Sequence, residues 1–260
     1  MFQQIHIVAC SPRSGTTLLH EAMVTCFKVD KHYDHERRFH KTNAKEGEVL
    51  ISKRPKDTYY MHRILDQTPG FHVIYLLRDP RDVIVSRHGK NKEIYYSNFA
   101  LWQHLHDFGK GLGSFTNALL IRYEDFVVNP NKVQQEIINK FPWLEKIHNF
   151  SDYHLHAKVS ESSQQALKGV RPIAPTSVGL WKNNLGRIKA QQQLHGSMIK
   201  TLIDLNYEKS DDWVNILESV ETDWTKSHYP ESISWVKKLS LRLHGLFKVR
   251  QFKKNRNLKF

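Results

Sequence analysis

Apolar residues fall along this chain in short blocks of strand length, separated by longer segments with helical spacing. Residues 5–10, with Ile5, Ile7, Val8, Ala9 and Cys10 around His6, form a β-rich run. Residues 71–77 are nearly all apolar or aromatic, the pattern of a strand buried on both faces. Shorter runs at 48–52 and 118–123 read as two more strands. Leu18, Leu19, Ala22, Met23, Cys26 and Phe27 recur at helical spacing and predict a helix over 17–27. Helices are also predicted over 57–68, 80–86, 95–108, from Asn129-Pro130 to about 141, and over 191–205. Residues 29–47 and 169–185 read as connections. Strands alternating with helices give an α/β class: a central, mostly parallel sheet flanked by helices.

Composition changes this picture in one place. With 40% hydrophobic and 25% charged residues, the 260-residue chain is ordinarily globular. No run reaches the roughly 18 apolar residues of a membrane span. No signal-peptide pattern opens the chain, and Cys10 and Cys26 make no disulfide framework, so a cytoplasmic location is expected. The net charge is +13, but no acid follows Glu231, and residues 237–260 hold nine Lys/Arg, leaving +4 for the rest. The chain therefore divides into an α/β domain over 1–230 and a basic tail over 231–260. In the tail Trp235, Leu239, Leu243 and Leu246/Phe247 recur with Lys238 and Arg242 between them. A basic amphipathic helix of this kind suits an anionic membrane surface, here through residues 235–260, or packs its apolar face back on the domain.

The chemistry is signalled between the first strand and the first helix. Ser11-Pro12-Arg13-Ser14-Gly15-Thr16-Thr17 is a small-residue turn at a helix N-terminus, where backbone N–H groups and the helix dipole attract an anion. Gly15 permits close approach, Thr16 and Thr17 add hydroxyls, and Arg13 adds a forked cation. The fold is thus read as a single P-loop-NTPase-like domain. A nucleoside-triphosphatase loop has Lys directly after its second glycine; here Thr16 stands there, and Cys10 replaces the first glycine. ATP or GTP chemistry is accordingly disfavoured. A second candidate anion site follows the strand at 71–77: Arg78 at its C-terminal end and Ser86 two helical turns on.

These segments resemble the sulfotransferases that use 3′-phosphoadenosine-5′-phosphosulfate (PAPS). Ser11 to Leu18 is similar to the family's 5′-phosphosulfate loop, [YV]-P-[KR]-S-G-T-[TS]. Arg78 and Ser86 within RDPRDVIVS look like its 3′-phosphate motif, and Tyr123-Glu124-Asp125 like the segment whose tyrosine lies by the adenine. Gly179-Leu180-Trp181-Lys182-Asn183 resembles the loop that closes over the cofactor, to which Arg171 would also belong. Together the motifs span residues 5–190. Arg in place of Lys in the loop, with RDPRD, brings the chain nearer to Golgi-type, tyrosylprotein and bacterial members than to cytosolic aryl enzymes.

The resemblance implies a sulfuryl transfer from PAPS to a hydroxyl on a glycan, lipid-linked or small acceptor, leaving adenosine 3′,5′-bisphosphate, with no metal. Cofactor contacts would come from Arg13, Ser14, Gly15, Thr16, Thr17, Leu18, Arg78, Ser86, Tyr123, Arg171, Trp181 and Lys182. Arg13 would stabilise the leaving phosphate, with Lys53 adding to it. The base is implied to lie in Tyr33-Asp34-His35-Glu36-Arg37-Arg38: Glu36 first, then His35, then Asp34. The acceptor pocket is expected among residues 29–47, 91–113 and 145–174. Sixteen histidines carry no Cys partner and no HExxH spacing, so no metal site is read. Two other classes stand as alternatives: a P-loop kinase, which Thr16 opposes, and a nucleic-acid-binding protein, suggested by charge alone. The reading preferred here includes no nucleic acid.

Overall fold

A computed structural model describes residues 2–232 and 234–256. The strand-length blocks become β1 (Gln3–Ala9), β3 (Val49–Lys53), β4 (Phe71–Leu77) and β5 (Ala118–Arg122), and a two-residue strand, β2 (Lys31–His32), joins them. They form one sheet in the order β2-β3-β1-β4-β5, with every pairing parallel. The helices are α1 (Thr16–Cys26), α2 (Pro80–Ile84), α3 (Phe99–Gly109), α4 (Tyr123–Val128), α5 (Pro130–Lys140), α6 (Tyr153–His156), α7 (Glu161–Leu167), α8 (Leu185–His195), α9 (Ile199–Asp204) and α10 (Trp235–Lys254). The α/β class with a parallel central sheet is therefore observed. None of the described helices is long and apolar enough to cross a membrane.

The residues divide into two compact units. The first takes in Met1–Leu77, Leu105–Pro175 and Ser234–Phe260, and the second Arg78–His104 and Thr176–Ile233. In the first, one face of the sheet (Ile5, Ile7, Ala9, Ile51, Ile74, Leu76) packs on Leu19, Ala22, Met23 and Cys26 of α1 and on Val133 and Ile137 of α5. Each Leu, Ile, Val or Met side chain among them contributes about 1.5–3 kcal/mol by leaving water. The other face carries Gln4, His6 and Phe71, and α10 brings Phe252 within 5.0 Å of Phe71 and 5.5 Å of Phe39, ring centre to ring centre. After β1 the chain moves towards β3, and after β4 it moves the other way, to β5. Such a reversal leaves the crevice at the C-terminal ends of these strands as the usual ligand position.

Two predicted helices take a different form. Residues 57–68 form 3₁₀ turns, Pro55–Arg63 and Leu65–Gln67. Thr58 donates its hydroxyl to the carbonyls of Pro55 and Ala9, and Asp57 is held by Arg54 and by the Phe39 N–H, which tightens the turns against the sheet. The helix read over 191–205 is two helices, α8 and α9, parted at Gly196 with φ 87°, a left-handed conformation that ends a helix. Within the polar connection 29–47 the structure also builds the edge strand β2 and buries Phe39 and His40.

Candidate active site

In the first unit, the loop after β1 curls through two left-handed residues, Arg13 (φ 76°) and Gly15 (φ 93°). Left-handed turns of this sort gather successive N–H groups into an anion-binding concavity. The left-handed Arg13 is costly for a non-glycine residue and is the kind of strain that marks functional sites. Ser14 donates its hydroxyl to the Ser11 carbonyl at 2.8 Å and lies 3.2 Å from Cys10 Sγ, so its side chain braces the loop. Gly15 is the N-cap of α1 and has no side chain to cap it. The first N–H groups of a helix have no partner inside the helix, and α1 presents them at this loop. A Cβ on Gly15 would stand 2.5 Å from Tyr123 Cδ2, so the buried Tyr123 ring packs directly on the glycine. Thr16 is buried, and Thr17 and Leu18 are partly buried.

Charged groups collect at the end of the neighbouring strand. Lys53 ends β3, is buried, and places its ammonium 3.5 Å from Glu21 Oε1 of α1. Glu21 also accepts from the Ser163 hydroxyl at 2.8 Å, on α7, and bonds His20 Nδ1 at 3.1 Å. Burial alone would raise the Glu21 pKa; the His20 bond, the nearby cations and Ser163 prevail and hold it at about 2. Burial lowers His20 below its ordinary value, with Lys53 acting in the same direction and the Glu21 bond opposing. Burial likewise lowers Lys53, against the carboxylates of Glu21, Glu36 and Asp34. The structure thus brings the expected Lys53, Glu36 and Asp34 into one electrostatic neighbourhood. The Arg37 N–H donates to the Lys53 carbonyl at 3.0 Å and ties their segment to β3. Glu36 is exposed at the surface; the partial desolvation it meets there raises its pKa, with Arg54, Lys53 and Lys56 opposing and Asp57 reinforcing. His35 lines a groove of about 340 Å³ with Ser160, Glu161, Ser162 and Gln165. That groove joins two of the three regions expected to make the acceptor pocket.

Glu21 was not singled out by sequence reasoning. The signal was available: Glu21 is the one acid of α1, and it falls among positions that bury Leu19, Ala22 and Met23. A second buried network also escaped notice. His6 bonds Ser52 Oγ at 2.8 Å and Asp57 Oδ2 at 3.2 Å, and Asp57 holds Arg54 and the Phe39 N–H. Through the Phe39 N–H it braces the C-terminal end of the segment that carries Glu36.

In the second unit, Arg78 is buried, donates to the Ser177 carbonyl, and receives the Trp102 indole N–H on its own carbonyl at 3.1 Å. Asp79 caps α2 through the Arg81 N–H at 2.8 Å. Arg81 pairs with Asp79 and Glu208 and lies 4.0 Å from the Trp181 ring centre and 4.9 Å from that of Trp213. Asp82 accepts from the N–H groups of Gly179 (2.7 Å) and Trp181 (3.0 Å). The RDPRD segment therefore clamps the Gly179–Trp181 stretch, and the Trp181 ring is spent on Arg81. Ser86 sits just past α2, where its carbonyl accepts from the Tyr96 N–H at 2.8 Å. Lys182 is exposed and lines a groove of about 410 Å³ with Arg87, Tyr95, Arg187 and Asp223. Arg171 is exposed and belongs to the first unit. Among the described residues, no three His, Cys, Asp or Glu side chains gather to hold a metal.

The sulfotransferase domain family matches residues 3–185 of the chain. No curated protein sequence matches it. Solved structures with similarity include a sulfotransferase domain from the curacin biosynthetic pathway, at 15% identity over 71% of this chain and 98% of the other, with TM-score 0.39. A sulfotransferase domain from the Synechococcus PCC 7002 olefin synthase is 18% identical over 70% of this chain and 88% of its own, with TM-score 0.45. Retinol dehydratase, solved with androsterone and the inactive cofactor PAP, is 13% identical over 99% of this chain and 82% of its own, with TM-score 0.31.

Proposed function

The chain belongs to the sulfotransferase domain family, and from that premise we propose that it moves a sulfuryl group from PAPS to a hydroxyl acceptor by in-line attack. The observation that carries this reading is the β1–α1 loop: left-handed at Arg13 and Gly15, roofed by Tyr123, and opening on the uncapped start of α1. This donor set fits a 5′-phosphosulfate. It offers convergent N–H groups, a guanidinium and hydroxyls, and it lacks the lysine a triphosphate loop places after the glycine.

PAPS supplies a sulfuryl group already activated by a phosphate leaving group. The loop N–H groups from Ser14 to Leu18, with Arg13, Thr16 and Thr17, hold that phosphate and neutralise the charge it gains. Lys53 adds a cation at the end of β3, kept in place by Glu21. Arg78 and Ser86 take the 3′-phosphate, Tyr123 borders the adenine, and Arg171, Trp181 and Lys182 belong to the closing loop. Glu36 takes the proton of the acceptor hydroxyl; its raised pKa brings it nearer the working pH, which favours a general base. His35 and then Asp34 are the next choices. The groove beside His35 is the place for the acceptor, a glycan, lipid-linked or small hydroxyl compound.

Thermal-shift titration tests the donor. Adenosine 3′,5′-bisphosphate is expected to raise the melting temperature, and ATP with Mg²⁺ to do so weakly or not at all. The reverse ranking would overturn the assignment in favour of a kinase. For the base, Glu36→Gln is expected to lower turnover about 10²–10⁴-fold with the bisphosphate still bound; full turnover would remove Glu36 from the role.

A further inference from the structure

We propose that α10 docks this protein on an anionic membrane surface. Its apolar residues lie on two separate faces. One face is already used. Gly245, Val249, Phe252 and Arg256 follow at intervals of four, three and four residues, and the first three are buried. At Gly245 the helix comes so close to the domain that a Cβ would stand 2.9 Å from Tyr60 Cε1. Lys248 donates to the Tyr60 hydroxyl at 2.9 Å, and Arg256 to Gln4 Oε1 and the Thr42 carbonyl at 2.7 Å. This face anchors the C-terminal half of α10 firmly.

The other face has no such covering. Trp235 (75% exposed), Leu239, Leu243, Leu246 and Phe247 (68%) stand open to solvent, with Val236 beside them. At 100° per residue these six positions fall within an arc of about 120°, a continuous apolar stripe along three turns. Scattered exposed apolar residues need no explanation, whereas a contiguous stripe marks an interaction surface. The stripe continues in register into Arg250 and Lys254, both exposed, so one helix face is apolar first and basic at its end.

Charge decides the occupant. Beyond Glu231 the sequence contains no acid, and residues 237–260 carry nine Lys/Arg. Two copies meeting through α10 would bring these like charges together. An anionic lipid surface instead takes the apolar side chains into the headgroup boundary and sets the basic ones among phosphates. A helix of 20 residues is about 30 Å long, and lying flat it offers this whole face to the bilayer.

The test uses the full-length protein and vesicles of phosphatidylcholine with about one-third phosphatidylglycerol. Co-sedimentation is expected with these vesicles, to weaken about tenfold or more on raising the salt, and to be weak on phosphatidylcholine alone. Leu239→Asp/Leu243→Asp is expected to lower binding at least about tenfold with an unchanged thermal melt, because both side chains are already solvent-exposed. Arg250→Glu/Lys254→Glu gives an independent reading, since each basic residue near such a surface strengthens binding about fivefold. The emission of Trp235 should shift to shorter wavelength on the vesicles, and Trp235→Phe should remove that shift. Undiminished binding by both double variants, or equal binding to neutral vesicles, would overturn the proposal. So would a dimer in light scattering that Leu239→Asp/Leu243→Asp converts to monomer, because the stripe would then be covered by a second copy. None of these readings depends on turnover, so they stand apart from the assignment of the reaction.

Discussion

Gly15→Ala separates the shape of the anion loop from its charge, because the substitution adds one methyl group and changes no ionisable group. Two costs follow from the geometry. Gly15 has φ 93°, and an L side chain there costs about 1–2 kcal/mol. The new Cβ would also lie 2.5 Å from Tyr123 Cδ2 and 2.6 Å from Cε2. Carbon atoms ordinarily rest about 3.5–4.0 Å apart, so the buried ring must retreat by about 1 Å, and forced repacking of this kind costs about 1–3 kcal/mol. The sum is about 2–5 kcal/mol, or roughly 5–15 °C in melting temperature for a domain of this size. Urea unfolding measures the stability, and titration with adenosine 3′,5′-bisphosphate measures the site, where binding should fall at least about tenfold. Tyr123→Leu provides the control. In Gly15→Ala/Tyr123→Leu the steric part is relieved and the backbone part stays, so the double variant should be about 1–3 kcal/mol more stable than the two single losses predict. Losses that add to within about 0.5 kcal/mol would refute the argument that Tyr123 shapes the loop through Gly15.

Three further predictions concern other parts of the chain. The folded-state pKa of Glu21 lies at about 2, below its ordinary 4.5, so its stabilisation is present above pH 4.5 and is lost as the pH falls through 2. The shift corresponds to about 3 kcal/mol, and Glu21→Gln should remove a share of that size from the acid-side loss of stability, while Glu231, also held at about 2, keeps its own share; an unchanged acid limb would contradict a Glu21 carboxylate held ionised by His20, Lys53 and Ser163. Arg78→Ala should weaken binding of adenosine 3′,5′-bisphosphate about 10–100-fold while leaving adenosine 5′-phosphosulfate, which has no 3′-phosphate, nearly unaffected; equal losses in calorimetric titrations of the two ligands would remove Arg78 from the 3′-phosphate. Phe252 is fully buried against Phe39 and Phe71, so Phe252→Ala should cost about 3–5 kcal/mol in urea unfolding and make the α10 segment sensitive to protease; wild-type resistance would mean that α10 is held by other contacts.

Much of this molecule can be read in one dimension because local chemistry repeats at fixed intervals. The alternation of short apolar blocks with helical spacing foretold β1, β3, β4 and β5, since strands covered on both faces read as short, mostly apolar runs. Arg13, Gly15 and the start of α1 were legible for a related reason: loop, glycine and helix N-terminus are contiguous, so the motif is its own geometry. Local rules failed where a distant partner intervened. The turns at 55–67 were drawn tight by Ala9 and Phe39, and β2 formed in a polar stretch because β3 offered it an open edge. Glu21 took its role from Lys53, 32 positions away, and from Ser163, 142 positions away. The division of the basic tail into an anchored face and an open one was likewise unreadable, because helical spacing places apolar residues on a helix but says nothing of what stands opposite them. Side-chain periodicity is a property of neighbours along the chain, and it determined the class and four of the five strands, β1, β3, β4 and β5. The Lys53 and Ser163 contacts of Glu21, the surroundings of Glu36 and the division of α10 into a packed and an open face depend on which residues far apart in sequence the fold brings together and which it leaves to solvent.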